Sequence, residues 1–159
     1  MAISPSVEEF LGNQHVPYSV LRHRPAYTAQ EEAAVSHVPG WQWAKTVACI
    51  ADDRPILAVV PAPSLVDLDR LCEVAGAEAI RLASERELER WYPDCELGAM
   101  PPLGPLYNQP VFVDRALAGG EIVFDAGSHS DAVRMLFDDF ARVVHPSMGS
   151  FGRPRRIEH

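Results

Sequence analysis

Lys45-Thr-Val-Ala-Cys-Ile50 and Ile56-Leu-Ala-Val-Val60, with Asp52-Asp53-Arg54-Pro55 between them, decide the architecture of this chain. Both flanking runs are rich in β-branched and apolar residues, and the acidic, proline-containing stretch joining them reads as a turn, so the segment is a β-hairpin. Neither run alternates apolar with polar. Strands that are apolar on both faces need cover on both sides, which implies a sheet with helices packed against it. Lys45 stands at the mouth of the first strand, where a side chain projects from a rigid element into a cleft.

Working outward, Ser4-Pro5-Ser6-Val7-Glu8-Glu9-Phe10-Leu11-Gly12 has a Ser cap, Pro in the first turn, early acids and a closing Gly, the pattern of a short helix burying Val7, Phe10 and Leu11. Tyr18-Ser-Val20-Leu21 suggests a strand, broken by His23-Arg-Pro25. Thr28-Ala-Gln-Glu31, Ser64-Leu-Val-Asp67 and Ser84-Glu-Arg-Glu87 each match a capping box, predicting helices over 29–36, from 64 to 74 and from 84 to 91. Ala79-Ile-Arg-Leu82, Pro110-Val-Phe-Val-Asp114 and Glu121-Ile-Val-Phe124 read as strands. The spacing of Val133, Leu136, Phe137, Phe140 and Val144 predicts a last helix over 130–144. Helices and strands alternate irregularly around a hairpin, so the fold class is α/β with a mixed sheet.

With 159 residues, 47% hydrophobic and 23% charged, the chain fits one core and one domain. Its apolar runs fall far short of the roughly 20 residues that cross a bilayer, and Met1-Ala-Ile-Ser-Pro lacks the features of a secretory signal, so no membrane contact and a cytoplasmic location are expected. Cys49, Cys72 and Cys95 are odd in number and form no C-x-x-C, and the six histidines show no ligand pairing, so reduced thiols and no metal or other cofactor are expected. A formal charge of −8 disfavours a grip on duplex DNA, and any nucleic-acid contact must be local. The basic tail Arg153-Pro-Arg155-Arg156 either touches phosphates or is a flexible, solubilising end. Thirteen of the fourteen basic residues are Arg, and Lys45 is the sole Lys. A single compact ammonium among guanidinium groups marks a place where a planar fork would not fit.

Two loops carry candidate chemistry. Gly98-Ala99-Met100-Pro101-Pro102 is either a backbone nest for an oxyanion, stiffened by its prolines, or a rigid connector. Gly127-Ser128-His129 reads as the start of the last helix, a site suited to anions with a hydroxyl and an imidazole at hand, or as plain architecture. There is no G-x-S-x-G elbow, P-loop or G-x-G-x-x-G in the chain.

In order along the chain stand Tyr18 and His23, then Thr28-Ala-Gln-Glu-Glu-Ala33-Ala34, Ala44-Lys45-Thr46-Val47, Gly98-Ala-Met-Pro-Pro-Leu-Gly104 and Ala126-Gly127-Ser-His129. Together these resemble the YbaK/EbsC family of aminoacyl-tRNA deacylases, which includes the editing domain inserted in bacterial prolyl-tRNA synthetases. The resemblance covers residues 4–148. It implies one such domain over 1–148 with a partly barrel-like mixed sheet and surrounding helices, followed by a flexible basic tail over 149–159. It also implies hydrolysis, without cofactor, of the ester joining a wrong amino acid to the acceptor end of tRNA. On that resemblance Lys45, Gly98, Ser128 and His129 are the catalytic set, Lys45 holding the terminal adenosine region and the substrate's own ribose hydroxyl assisting water. Tyr18, His23, Tyr27, Thr28, Ala99, Met100, Pro101, Pro102 and Gly127 are then expected to bind substrate, with the bulk of Met100 bearing on which amino acid fits. Partners would be mischarged tRNA and a synthetase or elongation factor. A binding module without turnover and an esterase or amidase acting on a free small molecule are the alternatives.

Overall fold

The computed structural model describes residues 3–22 and 42–154. The helix expected over 29–36, with His23, Tyr27, Thr28, Arg155 and Arg156, lies outside the described residues. Strand β2 (Ala44–Ala51) and strand β3 (Arg54–Pro61) form the expected hairpin, in antiparallel register from Ala44 against Pro61 to Ala51 against Arg54. Its two-residue turn, Asp52-Asp53, has φ of 47° and 69°, the left-handed pair of a tight hairpin turn. Asp52 secures it by accepting from the backbone N–H groups of Glu78 and Ala79.

Around the hairpin a five-stranded mixed sheet is built in the order β5-β2-β3-β6-β9. Strand β5 (Ile80–Leu82) adds antiparallel to β2, while β6 (Val111–Asp114) and β9 (Ser147–Gly149) add in parallel beyond β3. A three-stranded antiparallel sheet holds β1 (Ser19–Arg22), β8 (Asp131–Leu136) and β7 (Glu121–Asp125), with β8 in the middle. A parallel bridge from Trp43 to Val123 ties the two sheets at one corner. Because side chains alternate along a strand, the hairpin feeds two cores. Ala48, Leu57 and Val59 enter the main core with Val7, Leu11, Phe124, Phe140 and Leu103. Cys49, Ile56, Ala58 and Val60 enter a second cluster with Leu71 and Phe151. The inference that this hairpin is covered on both faces therefore holds.

Helix α1 (Pro5–Asn13) buries Val7 and Leu11, with Phe10 half-buried. Ser4 occupies its N-cap position but makes no capping bond, and its hydroxyl donates to Asp94 at 2.9 Å instead. Helix α2 (Leu68–Ala75) begins later than the capping-box reading placed it. Ser64–Val66 form strand β4, and Asp67 caps the helix by accepting from the Arg70 N–H. Helix α3 (Glu85–Trp91) has the full expected box, with Ser84 and Glu87 exchanging hydrogen bonds.

Glu87 also accepts from the Arg81 guanidinium at 2.9 and 3.0 Å. That hydrogen bond, with the one from the Ser84 backbone, holds its carboxyl at about 2, below the ordinary glutamate value. A carboxyl whose folded pKa is depressed adds stability above its unfolded value and loses it as pH falls through the folded value. Glu87→Gln should therefore lower the melting temperature slightly near neutral pH, and the gap to wild type should close as the pH is taken down towards about 2. Thermal melts across that range check it.

The largest departure from the sequence reading lies in residues 130–144. The first half is strand β8, and only Phe137–Val144 is helix, α4. Ala132, Val133 and Met135 are buried because β8 is flanked by strands on both sides, while Leu136, expected on the helical stripe, is exposed. Residues 149–154 are likewise part of the fold, not of a flexible tail. Phe151 is fully buried, and strand β10 (Gly152–Pro154) pairs with β4.

Candidate functional site

Strand β5 pairs with β2 only at Cys49–Ala51, and the Ala83 N–H extends that contact to the Ala48 carbonyl. The earlier half of β2 runs on past the end of β5, and a cavity of about 310 Å³ opens beside it. Ala44, Lys45, Thr46, Val47 and Ala48 of β2 form one wall, Leu82, Ala83 and Leu88 a second, and Gly98, Met100, Asp125 and His129 the far side. Among the residues singled out in the sequence, the fold thus gathers Lys45, Gly98, Met100 and His129 around one space.

Lys45 is half-buried, and its ammonium donates a hydrogen bond to the Ser64 carbonyl at the start of β4. Lys45, Val47 and Leu82 also border a second, larger recess of about 620 Å³ that reaches Arg153 of β10. The cation therefore stands on the rim between two spaces.

Opposite it, Gly98 has φ of +82°, a conformation that side chains resist, so the loop can turn there only with glycine. Two backbone hydrogen bonds lock this loop onto the next, Glu96 N–H to the Gly127 carbonyl at 2.8 Å and Gly127 N–H to the Ala99 carbonyl at 2.9 Å, and Ala99 N–H to the Glu96 carbonyl at 2.9 Å closes the loop on itself. The Ala99 N–H is thereby committed within the protein. Ala99, Pro101 and Pro102 are buried and do not line the cavity, so Gly98 and Met100 are the loop positions that face it.

His129 sits across the cavity with its Nε2 at 2.8 Å from the Leu97 carbonyl and its Nδ1 at 3.7 Å from Asp125 Oδ2. A carbonyl only accepts, so Nε2 carries hydrogen and the ring is fixed with Nδ1 towards the carboxylate. Its backbone N–H donates to Glu96 Oε2 at 3.2 Å. The Leu97 carbonyl thus holds the ring, and Glu96 holds the backbone that carries it.

Gly127-Ser128-His129 does not open a helix, which removes the anion-binding helix end expected there. It is a turn into β8, and the Ser128 hydroxyl serves that turn, donating to Asp131 Oδ2 and accepting from the Ser130 and Asp131 N–H groups. Ser128 faces a separate shallow recess shared with Ser4, Asp94 and Glu96. Gly127 has φ of +107°, and a Cβ there would lie 2.7 Å from that of Ser4, so glycine lets the first helix pack on this turn. Tyr18 is half-buried against the main core and is not part of the cavity wall.

Sequence reasoning missed Asp125, the last residue of β7, which lines the cavity and has one carboxylate oxygen buried without a hydrogen-bond partner. The signal available was its place at a strand end just before Ala126-Gly127. It also missed Leu88 and Ala83, whose apolar character gave no hint of a cleft. Of the three cysteines, all free, none lines this cavity, and burial pushes the Cys49 and Cys95 thiols up to about 11. Among the described residues no three His, Cys, Asp or Glu side chains are grouped to hold a metal ion, and no helix is long and apolar enough to cross a membrane.

Comparison with known proteins adds four findings. A curated relative, the proline–tRNA ligase of Nitratidesulfovibrio vulgaris, is 30% identical over 94 residues, which are 59% of this chain. The chain spans only 16% of that ligase's length. The hypothetical protein APE2540 superposes with a TM-score of 0.82 at 20% identity, covering 93% of this chain and 99% of the other. A candidate trans-editing enzyme for prolyl-tRNA synthetase superposes with a TM-score of 0.78 at 21% identity, covering 96% and 99%. At those identities the two structures speak for the shared fold. The family model described as the aminoacyl-tRNA editing domain matches residues 23–143, which include the hairpin, Lys45, the Gly98 loop and His129. With most of its length so matched, this chain belongs to the aminoacyl-tRNA editing domain family.

Proposed function

We propose that this protein is a deacylase that hydrolyses, in trans, the ester of mischarged tRNA. The observation that supports it is the convergence of Lys45, Gly98, Met100 and His129 on a cavity of about 310 Å³, near the lower end for small-molecule sites. Such a space takes a small acyl group with the ribose that bears it. Lys45, on the rim, holds the phosphate and ribose side of the terminal adenosine. Gly98 and Met100 present backbone to the acyl group, and His129 closes the far wall. No nucleophile is assigned to the protein. Water attacks the ester carbonyl, assisted by the neighbouring ribose hydroxyl, and positioning with electrostatic stabilisation of the oxyanion supplies the acceleration. Ser128, with its hydroxyl bound in the turn, acts through the placement of His129.

The net charge of −8 suits a protein that touches only the acceptor end, with no DNA or membrane partner, in the cytoplasm, and with substrate handed over by a synthetase or an elongation factor. A panel of mischarged tRNAs, followed for ester loss beside free aminoacyl esters, tests the reading. Loss of ester from some tRNAs but not from the free esters is expected, and a panel left intact would overturn it.

One consequence follows from the single lysine. Reductive methylation can modify only the N-terminal amine and Lys45. Dimethylation keeps the charge but adds bulk and removes N–H donors, so deacylation should fall in step with Lys45 modification. A mimic of the tRNA 3′ end should slow that modification and leave the terminal amine as reactive as before. Peptide mass spectrometry alongside the rate reads both, and full methylation at an unchanged rate would take Lys45 out of the mechanism.

A further inference from the structure

Among the described residues, Asp125 is the one carboxylate in the wall of the cavity that holds Lys45, Gly98, Met100 and His129. Its side chain is 12% exposed, and Oδ1 is buried with no hydrogen-bond partner among the described residues. Among the described residues Oδ2 has the His129 ring at 3.7 Å, beyond hydrogen-bond reach. Buried carboxylates normally collect donors, because an ionised group out of water is costly when left unmatched. Compare Asp114, which is buried and accepts from the backbone N–H groups of Ala116, Phe151 and Gly152. Asp125 has no such set, and it faces the space where a ligand would sit. The His129 ring does not replace one. Its Nε2 hydrogen is spent on the Leu97 carbonyl, and its Nδ1 stands too far from Oδ2 for a hydrogen bond.

We infer that Asp125 is the docking point for the α-ammonium group of the aminoacyl moiety. The inference rests on the deacylase reading and deepens it. An aminoacyl ester differs from most other acyl esters in carrying a compact cation one carbon from the carbonyl. In this cavity, an ammonium held against Asp125 meets the under-satisfied carboxylate, with Gly98 and Met100 of the facing loop placed to border the acyl group. The pairing orients the ester, and it selects against acyl groups whose nitrogen is blocked, as in a chain already extended by a peptide bond. No atom of Asp125 takes part in bond making, so it is a positioning residue, felt mainly in KM.

The test compares the best aminoacyl-tRNA of the panel with its 2-hydroxyacyl analogue, in which a hydroxyl replaces the ammonium at nearly the same size, and with its N-acetyl derivative. For wild type, kcat/KM should favour the free amine over the hydroxy ester by about 10- to 100-fold, the range of a hydrogen bond to a charged group. In Asp125→Asn, KM for the free-amine ester should rise about tenfold or more, kcat should change little, and hydrolysis of the hydroxy ester should be retained, levelling the preference. The wild-type comparison stands even if the variant folds poorly. Equal rates of wild type on amino and hydroxy esters, or an equal loss on both in Asp125→Asn, would overturn the subsite while leaving deacylation intact. Wild type that hydrolyses none of the three esters would overturn the deacylase reading, and the subsite with it.

Discussion

Lys45→Ala should lower deacylation of the best mischarged tRNA by roughly 100-fold, the cost of letting a bound ester shift from its productive position when the group holding the terminal adenosine is lost. The side chain is half-buried on the rim of the cavity, and its ammonium donates to the Ser64 carbonyl. Truncating it removes a hydrogen bond to the Ser64 carbonyl but opens no hole in either core, so thermal stability should move by no more than about 1 kcal/mol. Lys45→Arg should fail as well. A guanidinium keeps the charge but spreads it over a planar fork at the end of a longer side chain, which cannot hold the Ser64 carbonyl and leave a compact donor pointing at the substrate. Rates measured beside melting curves decide the matter. Near wild-type turnover by either variant, with folding intact, would leave the site without its cation.

The second large effect concerns stability. Phe151→Ala should destabilise the protein by about 3–5 kcal/mol, the usual cost of emptying a buried phenylalanine site. Phe151 is fully buried among Cys49, Ile56, Ala58, Val60 and Leu71, on the face of the hairpin opposite the main core. Its backbone is fastened as firmly as its ring, with the N–H donating to Asp114 at 3.1 Å and the carbonyl accepting from the Asp67 N–H at 2.8 Å. Arg153→Ala, at an exposed position two residues on, should change stability by less than about 0.5 kcal/mol. Denaturant titrations of the two variants give the contrast. A Phe151→Ala midpoint equal to wild type would mean that the C-terminal segment is not packed as described.

The hairpin at Lys45–Val60 was legible because its β-branched runs are long and the turn between them is unambiguous. The same logic failed over residues 130–144, where Val133, Leu136, Phe137, Phe140 and Val144 satisfy a helical period by accident. A central strand is apolar on both faces, so a short piece of it followed by a helix imitates one longer helix, and periodicity alone cannot divide them. At Ser64 two polar residues competed for one cap. Asp67 took it because Ser64–Val66 pair with β10, a partnership between distant segments that local sequence does not announce. In the site, Lys45 stood out by its rarity, and Gly98 and His129 by their loops. Asp125 carried no such mark, since one more acid in an acidic chain means nothing until the fold shows that donors are missing around it. Ser128 drew notice as a hydroxyl beside a histidine, yet its bonds are spent on its own turn.

The pairing of β4 with β10 bears on the order in which the molecule can assemble as it is made. The Ser64 carbonyl that receives the Lys45 ammonium starts a strand whose sheet partner is synthesised some ninety residues later, and β1 waits similarly for β8. Such distant closures are slow, because chain entropy is lost before the contacts reward it. Until β10 has been made, the strand that carries the Ser64 carbonyl lacks its sheet partner. The second core, which backs the hairpin on the face away from the main core, closes only once Phe151 has been made.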